Sequence, residues 1–297
     1  MFLSPKLIVF IVCLTNLSIL TQADDFSFNP SQSFDPDFFI ESNLEFTLLH
    51  ELAHAVIELY DIPVLGGQEQ AADQVALMLL LTDQRHKGVL RPVTLNKLLA
   101  ISGEWFLEWQ AEMKQNQAVY WDAHPLTIQR FYDVTCLAYG SNPDILESLR
   151  KEKWLPVERA WNCDLEYKKT RQALAWLTKK VSHYQLDENW NFVKKNKPPQ
   201  GFTGQVKIVW VEPTRQSHKD MAKKLKNFKS LKYLVAQTNE VLNLKEDITI
   251  YMEPYCKGPD AWWNGEQNII TVCYELAELF EKNAALLPGL INEGLPE

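Results

Sequence analysis

The chain has 297 residues, and 46% of them are hydrophobic, enough to fill one large core or two modest ones. A formal net charge of -8 and a pI near 5.4 argue against a nucleic-acid partner, because a phosphate backbone is held chiefly by clustered Lys and Arg, and the sequence has no basic patch.

Residues 1–23 have the form of an export signal. Lys6 supplies the positive start, Leu7 to Leu20 is mostly apolar, and "LTQA" offers small residues for cleavage after Ala23. The apolar run is shorter than the roughly 20 residues of a span, so no stable membrane span is expected after cleavage; an uncleaved anchor is the alternative. Residues 24–43, with "DDFSFNPSQSFDPDFF", lack a helical period and are expected to form an extended arm.

From Leu44 the pattern turns helical, with Phe46, Leu49, Ala53, Val56 and Ile57 at three- and four-residue spacing until Pro63, Gly66 and Gly67 interrupt it. Further helices are expected in "TLNKLLAISGEWFLEWQAEMKQ", in "LTIQRFYDVTCLAY" up to Gly140, and along "VERAWNCDLEYKKTRQALAWLTKKVSHY" as one long element. Residues 44–195 thus form a helical region. In residues 196–297 the texture changes: "QVKIVWVE", "ITIYMEP" and "NIITVCYE" are expected strands, and "NFKSLKYLVAQTNEVLNL" a helix. Asn264-Gly265 is expected to turn the last two strands into an antiparallel hairpin. The predicted fold class is α+β, a mainly helical region followed by a small α/β unit with a mixed sheet.

Beyond Cys13 in the leader, four cysteines remain: Cys136, Cys163, Cys256 and Cys273. An even number in an exported chain suggests two disulfides. Of three possible pairings the two local ones are expected, Cys136 with Cys163 and Cys256 with Cys273. A zinc site built from all four is the rival, but no Cys-x-x-Cys spacing exists.

The chemistry concentrates in "FTLLHELAHAVIELYDIPVLGGQEQAADQVALMLLL", Phe46 to Leu81. His50 and His54, four residues apart on a helix, present two imidazoles to one ion. Glu51 falls beside that ion, where a glutamate acts as general base on a water acidified by zinc. Glu69, after the glycine turn, is the candidate third ligand, and Asp73 the carboxylate that orients a ligand histidine. The bland alternative is a pair of satisfied core histidines, which the spacing of Glu69 and Asp73 disfavours.

The segment "HELAHAVIELYDIPVLGGQEQAAD" resembles the gluzincin metallopeptidases and, more closely, a bacterial metallopeptidase family defined as domain of unknown function 4344. "CYEL" at Cys273 to Leu276, "HPLTIQRFY" at His124 to Tyr132 and "CDLEY" at Cys163 to Tyr167 carry the likeness over most of the mature chain. The resemblance implies a zincin-like fold, a Zn2+ ion on His50, His54 and Glu69, Glu51 as base, Asp73 as orienting carboxylate, and a peptide or protein substrate. Ala53 stands where the family often has Gly, "GGQEQAAD" replaces a more acidic "GREEDAAD", and "DAWWNG" departs from "NAFY". The strand-rich unit ending in "CYEL" precedes the metal helix in the family but follows it here, which implies either a circular permutation or an incomplete tandem duplication.

His124 and Arg130 are candidates for stabilising an oxyanion in that family element, against a helix start with a surface histidine and an arginine paired to a carboxylate. Trp262-Trp263 is a candidate contact surface, and Glu275 a candidate helix cap. His86, His183 and His218 sit in polar company and are expected at the surface. The competing functions are a zinc-stabilised envelope binding protein without catalysis and a metal-free helical interaction protein.

Overall fold

Asp35 caps the first helix by accepting a hydrogen bond from the Phe38 amide at 3.0 Å, and Pro36, with its φ preset for a helix, takes the first position. In the computed structural model, which describes residues 33, 35–83, 85–86, 89–90, 92–115, 119–151 and 154–293, helix α1 therefore begins at Pro36 and runs to Leu59. The arm expected to be extended through residue 43 is helical from Pro36, because the Asp-Pro pair is a start signal. The leader lies outside the described residues.

The order continues with α2 (Gln68–Asp83), a short hairpin of β1 (Arg85–His86) and β2 (Val89–Leu90), α3 (Pro92–Gln115), α4 (Thr127–Ser141), α5 (Glu147–Lys151), α6 (Val157–Ala160) and α7 (Cys163–Val181). The expected single helix from Val157 is broken at Trp161-Asn162. Gly140 does not stop α4 but lies inside it, where a Cβ would overlap the Cys163 carbonyl of α7. The two helices are bolted there by the Cys136–Cys163 disulfide.

A second hairpin, β3 (Tyr184–Leu186) with β4 (Phe192–Lys194), leads to β5 (Val206–Trp210), α8 (Gln216–Asn227), α9 (Lys229–Val241), β6 (Ile248–Glu253), β7 (Ala261–Asn264), β8 (Ile269–Cys273) and α10 (Tyr274–Glu293). The sheet order is β5-β6-β8-β7, mixed, so the chain is α+β. The expected antiparallel pairing of "ITIYMEP" with "NIITVCYE" is corrected: β6 and β8 run parallel, with Ile250 opposite Ile270. The Asn264-Gly265 turn instead joins β8 to β7, an unforeseen strand carrying Trp262 and Trp263, which pairs antiparallel along the other side of β8. The second disulfide, Cys256–Cys273, ties the β6–β7 connection to the end of β8.

Helix α1 is buried on nearly every side from Ser42 to Ile57, its polar Ser42, Asn43, Glu45, His50, Glu51 and His54 included. Its Phe39, Ile40, Leu44 and Leu48 share one core with Ile248, Ile250, Ile270 and Val272 of the sheet and with Tyr274 and Phe280 of α10. Phe46 on another side joins the core of α2, α3 and α4. The late strands thus pack back on the helix of His50.

His183 and His218 are buried, 6% and 2% exposed, against the expectation of surface positions. His183 Nδ1 lies 2.7 Å from Asn243 Oδ1, and His218 belongs to the apolar face of α8 with Met221, Ala222 and Leu225. The i, i+3, i+4, i+7 spacing of that face was the overlooked signal. The side chain of His86 lies outside the described residues.

Candidate metal centre

α1 is capped by Tyr60, Asp61 takes a left-handed φ of 49°, and Gly66, at φ 117°, completes the reversal that sends α2 back across α1. This brings the first turn of α2 to the His50–His54 face. His50 Nε2 and His54 Nε2 are 3.1 Å apart, and Glu69 Oε2 is 3.2 Å from the first and 3.1 Å from the second. Tetrahedral zinc ligands at their usual bond lengths stand about 3.3 Å from one another, so this triangle fits such an ion. His50, His54 and Glu69 can hold a metal. A second such group, Cys256, Cys273 and Glu275, has both sulfurs spent in the disulfide.

The imidazoles are oriented from behind. His50 donates Nδ1–H to Asp73 Oδ1 at 2.8 Å, which leaves the Nε2 lone pair facing the triangle. The Gln68 side-chain amide lies 3.2 Å from His54 Nδ1; with its oxygen turned to that nitrogen it sets the same tautomer on the second ring. Arg130 grips Asp73 with two arms, Nε to Oδ2 at 2.7 Å and a terminal nitrogen to Oδ1 at 2.6 Å, and stacks 3.5 Å above the Trp105 ring. Arg130 therefore positions the carboxylate that positions His50, the carboxylate pairing foreseen as the alternative to an oxyanion role.

His124 reaches the centre from the segment before α4, with Nε2 3.1 Å from Glu69 Oε2 and Nδ1 2.8 Å from Asp122 Oδ1. It is half exposed, at the rim of the centre. Glu51 is buried beside the histidines, and the backbone amide of Trp263 in β7 lies against its carboxyl. The Trp263 indole donates to Glu58 Oε2 at 2.6 Å, so β7, the sheet's edge strand, runs along α1 at the site.

The titrations follow from these contacts. The hydrogen bond from His124, with the His50 and His54 imidazoles against the same oxygen, holds the Glu69 carboxyl far below the usual carboxylate range. The bond to Glu69 pushes His124 up to about 9, with Asp122 adding to it against partial burial. Burial opposes the charged forms of His50 and Asp73, yet the His50–Asp73 bond, with Glu69 on one side and Arg130 on the other, raises His50 and lowers Asp73. Burial lifts the Glu51 carboxyl above its ordinary value, against the pull of His50, His54 and the Trp263 amide.

A family model described as "Putative metallopeptidase" (DUF4344) matches residues 11–178 and 210–286. The chain belongs to this metallopeptidase family. No curated protein and no solved structure matches it. The two matched blocks of this DUF4344 member carry all of α1 to α6 and most of α7, then β6, β7 and β8, so every residue of the centre falls inside them.

In this metallopeptidase-family chain the structure brings His50, His54, Glu69, Glu51, Asp73 and His124 together, and Trp263 beside them. It keeps the four cysteines apart from the centre, as two disulfides. Glu275 lies in the first turn of α10, 3.7 Å from His218 and not in the centre. Gln68 was missed, although its place directly before Glu69 at the start of α2 was a usable signal. The contact of the Trp263 backbone with Glu51 had none, since it joins residues 212 positions apart.

Proposed function

We propose that this chain is an exported, zinc-dependent peptidase that hydrolyses peptide bonds of a peptide or protein substrate. The observation that carries the reading is the convergence of His50 Nε2, His54 Nε2 and Glu69 Oε2 with a buried Glu51 alongside. Two imidazoles and one carboxylate are the donor set of a catalytic zinc with one position open. Held by His50, His54 and Glu69, a zinc ion would supply Lewis-acid chemistry, polarising the scissile carbonyl and acidifying a water.

Glu51 accepts the proton of that water and returns it to the leaving amine, a task suited by a carboxyl whose burial raises its pKa. His124, at the rim, would turn its Nε2–H from Glu69 to the carbonyl oxygen as that oxygen gains charge. Edge strand β7 gives an extended substrate backbone groups to pair with, and Trp262 a partly exposed ring to lie on. Asp73, Arg130 and Gln68 hold the imidazoles and touch no substrate.

Export is supported by two disulfides, which persist in oxidising compartments such as the periplasm or the exterior. The circularly permuted order of parts is supported by α10 lying along α1, where Lys224 bridges Asp37 near the start of α1 and Glu281.

The test is elemental analysis of the purified protein beside His54→Ala, Glu69→Ala and Glu51→Gln. About one zinc per chain is expected, lost in the first two variants and kept in the third, with peptide hydrolysis lost in all three. Zinc retained in His54→Ala and Glu69→Ala would remove the ligand assignment. Hydrolysis surviving in Glu51→Gln would remove its role as base.

A further inference from the structure

Beside the metal centre, between α1, α3 and α10, lies a cleft of about 400 Å³ that His50 and Glu51 line at one end. Glu104, Glu108 and Glu112, four residues apart along α3, all line it as well. Ionised carboxylates at this spacing repel, and burial holds Glu104 and Glu108 toward their neutral forms, so the stripe is a cost to the helix that folding alone does not explain. Glu112 is engaged by the Thr127 hydroxyl at 2.5 Å. Glu104 is 4% exposed; its Oε1 accepts from Asn283 at 2.7 Å, but its Oε2 is buried without a hydrogen-bond partner among the described residues. An unpartnered, buried carboxyl oxygen in a cavity marks a partner yet to arrive, and a cationic partner would favour the ionised form that burial otherwise opposes.

The other wall of the cleft is apolar, with Leu276, Leu279 and Phe280 of α10. An apolar wall facing a carboxylate stripe matches a ligand with a hydrocarbon stem and a cationic tip. The cationic side chains that line the cleft, Arg130 and His124, spend their hydrogen bonds elsewhere, Arg130 on Asp73 and His124 on Glu69 and Asp122. We infer that the Glu104–Glu108–Glu112 face is the specificity subsite of the cleft and receives a cationic nitrogen of the substrate, from a lysine or arginine side chain or from a free amino terminus. The inference rests on the peptidase reading and adds the substrate class to it. Asn43 and His50, both lining the cleft on α1, are seven residues apart, or about 10 Å of helix, so a long side chain or one further residue spans from the reacting bond to the far end.

The test uses the full chain loaded with zinc and carrying Glu51→Gln, so that peptides bind without being cut. Acetylated peptides with a central lysine, arginine or norleucine, and a norleucine peptide with a free amino terminus, are titrated by calorimetry, together with agmatine as a small guanidinium probe. One cationic arm is expected to bind about tenfold tighter than the acetylated norleucine peptide, as a charge-assisted hydrogen bond supplies. That margin should collapse in both Glu104→Gln and Glu108→Gln, and whichever arm shows it identifies the source of the nitrogen. Equal affinities for lysine, arginine and norleucine peptides, with no gain from a free amino terminus, would overturn the inference. A margin untouched by both substitutions would also overturn it. Cleavage of neutral peptides by the unsubstituted protein would then leave the peptidase reading standing. Agmatine binding that depends on Glu104, with no peptide hydrolysed, would keep the cation subsite and overturn the peptidase reading.

Discussion

Each imidazole of the candidate centre is held by a further side chain behind it. Arg130 fixes Asp73, Asp73 fixes His50, and Gln68 stands behind His54. Partners of this kind commonly hold a factor of 10 to 100 in metal affinity. Asp73→Ala should therefore weaken zinc binding about 10- to 100-fold in competition with a chromophoric chelator, while His50 remains present. An unchanged affinity would mean that the second nitrogen of His50 does not govern the first. Glu104 predicts a pH effect on stability. Burial, with Glu108 adding to it, pushes its carboxyl up to about 8, against an ordinary value of 4.5. Between those values the folded chain keeps a proton that the unfolded chain has released, so stability falls as pH rises through the window. The destabilisation is absent below about 4.5 and complete above about 8, at up to roughly 5 kcal/mol. Glu104→Gln should raise the unfolding temperature at pH 9 and leave it nearly unchanged at pH 4; the same increment at both would show that the carboxyl does not titrate in the fold.

At the level of elements, the site depends on how α1 meets its neighbours. Its start at Asp35-Pro36 and its end at Asp61 are written in local chemistry, cap and turn. The approach of α4 to α7 is different, because it needs a residue without a side chain at Gly140. Gly140→Ala should cost about 2–3 kcal/mol, since the overlap is with backbone and cannot be relieved by a rotamer change. Chemical denaturation would measure it, and a loss under about 0.5 kcal/mol would show that the helices separate freely. The same logic places Gly265 against Glu58, where a Cβ would collide with the carboxyl that holds the Trp263 indole. The β7–β8 turn is thus chosen for its proximity to α1 as well as for its own geometry.

Across the whole molecule, the convergence of His50, His54 and Glu69 was legible because its spacing is helical: His50 and His54 share a face by the 3.6-residue period, and the glycine turn lets the chain return Glu69 toward them. The two disulfides and three of the strands were legible for similar reasons, local separation and β-branched runs. The parallel pairing of β6 with β8 was not, because pairing partners are selected by the sheet as a whole and a four-residue strand such as "AWWN" carries little periodic signal. Nor was the burial of His183, which depends on Asn243 sixty residues later. The sequence by itself thus determined the donor types, their helical face and the family to which the chain belongs, since these are local patterns. The tertiary structure alone decided that the edge strand lies on Glu51, that Arg130 serves Asp73, and that a stripe of carboxylates faces the cleft. Those contacts join residues far apart in the chain, and packing rather than local preference brings them together.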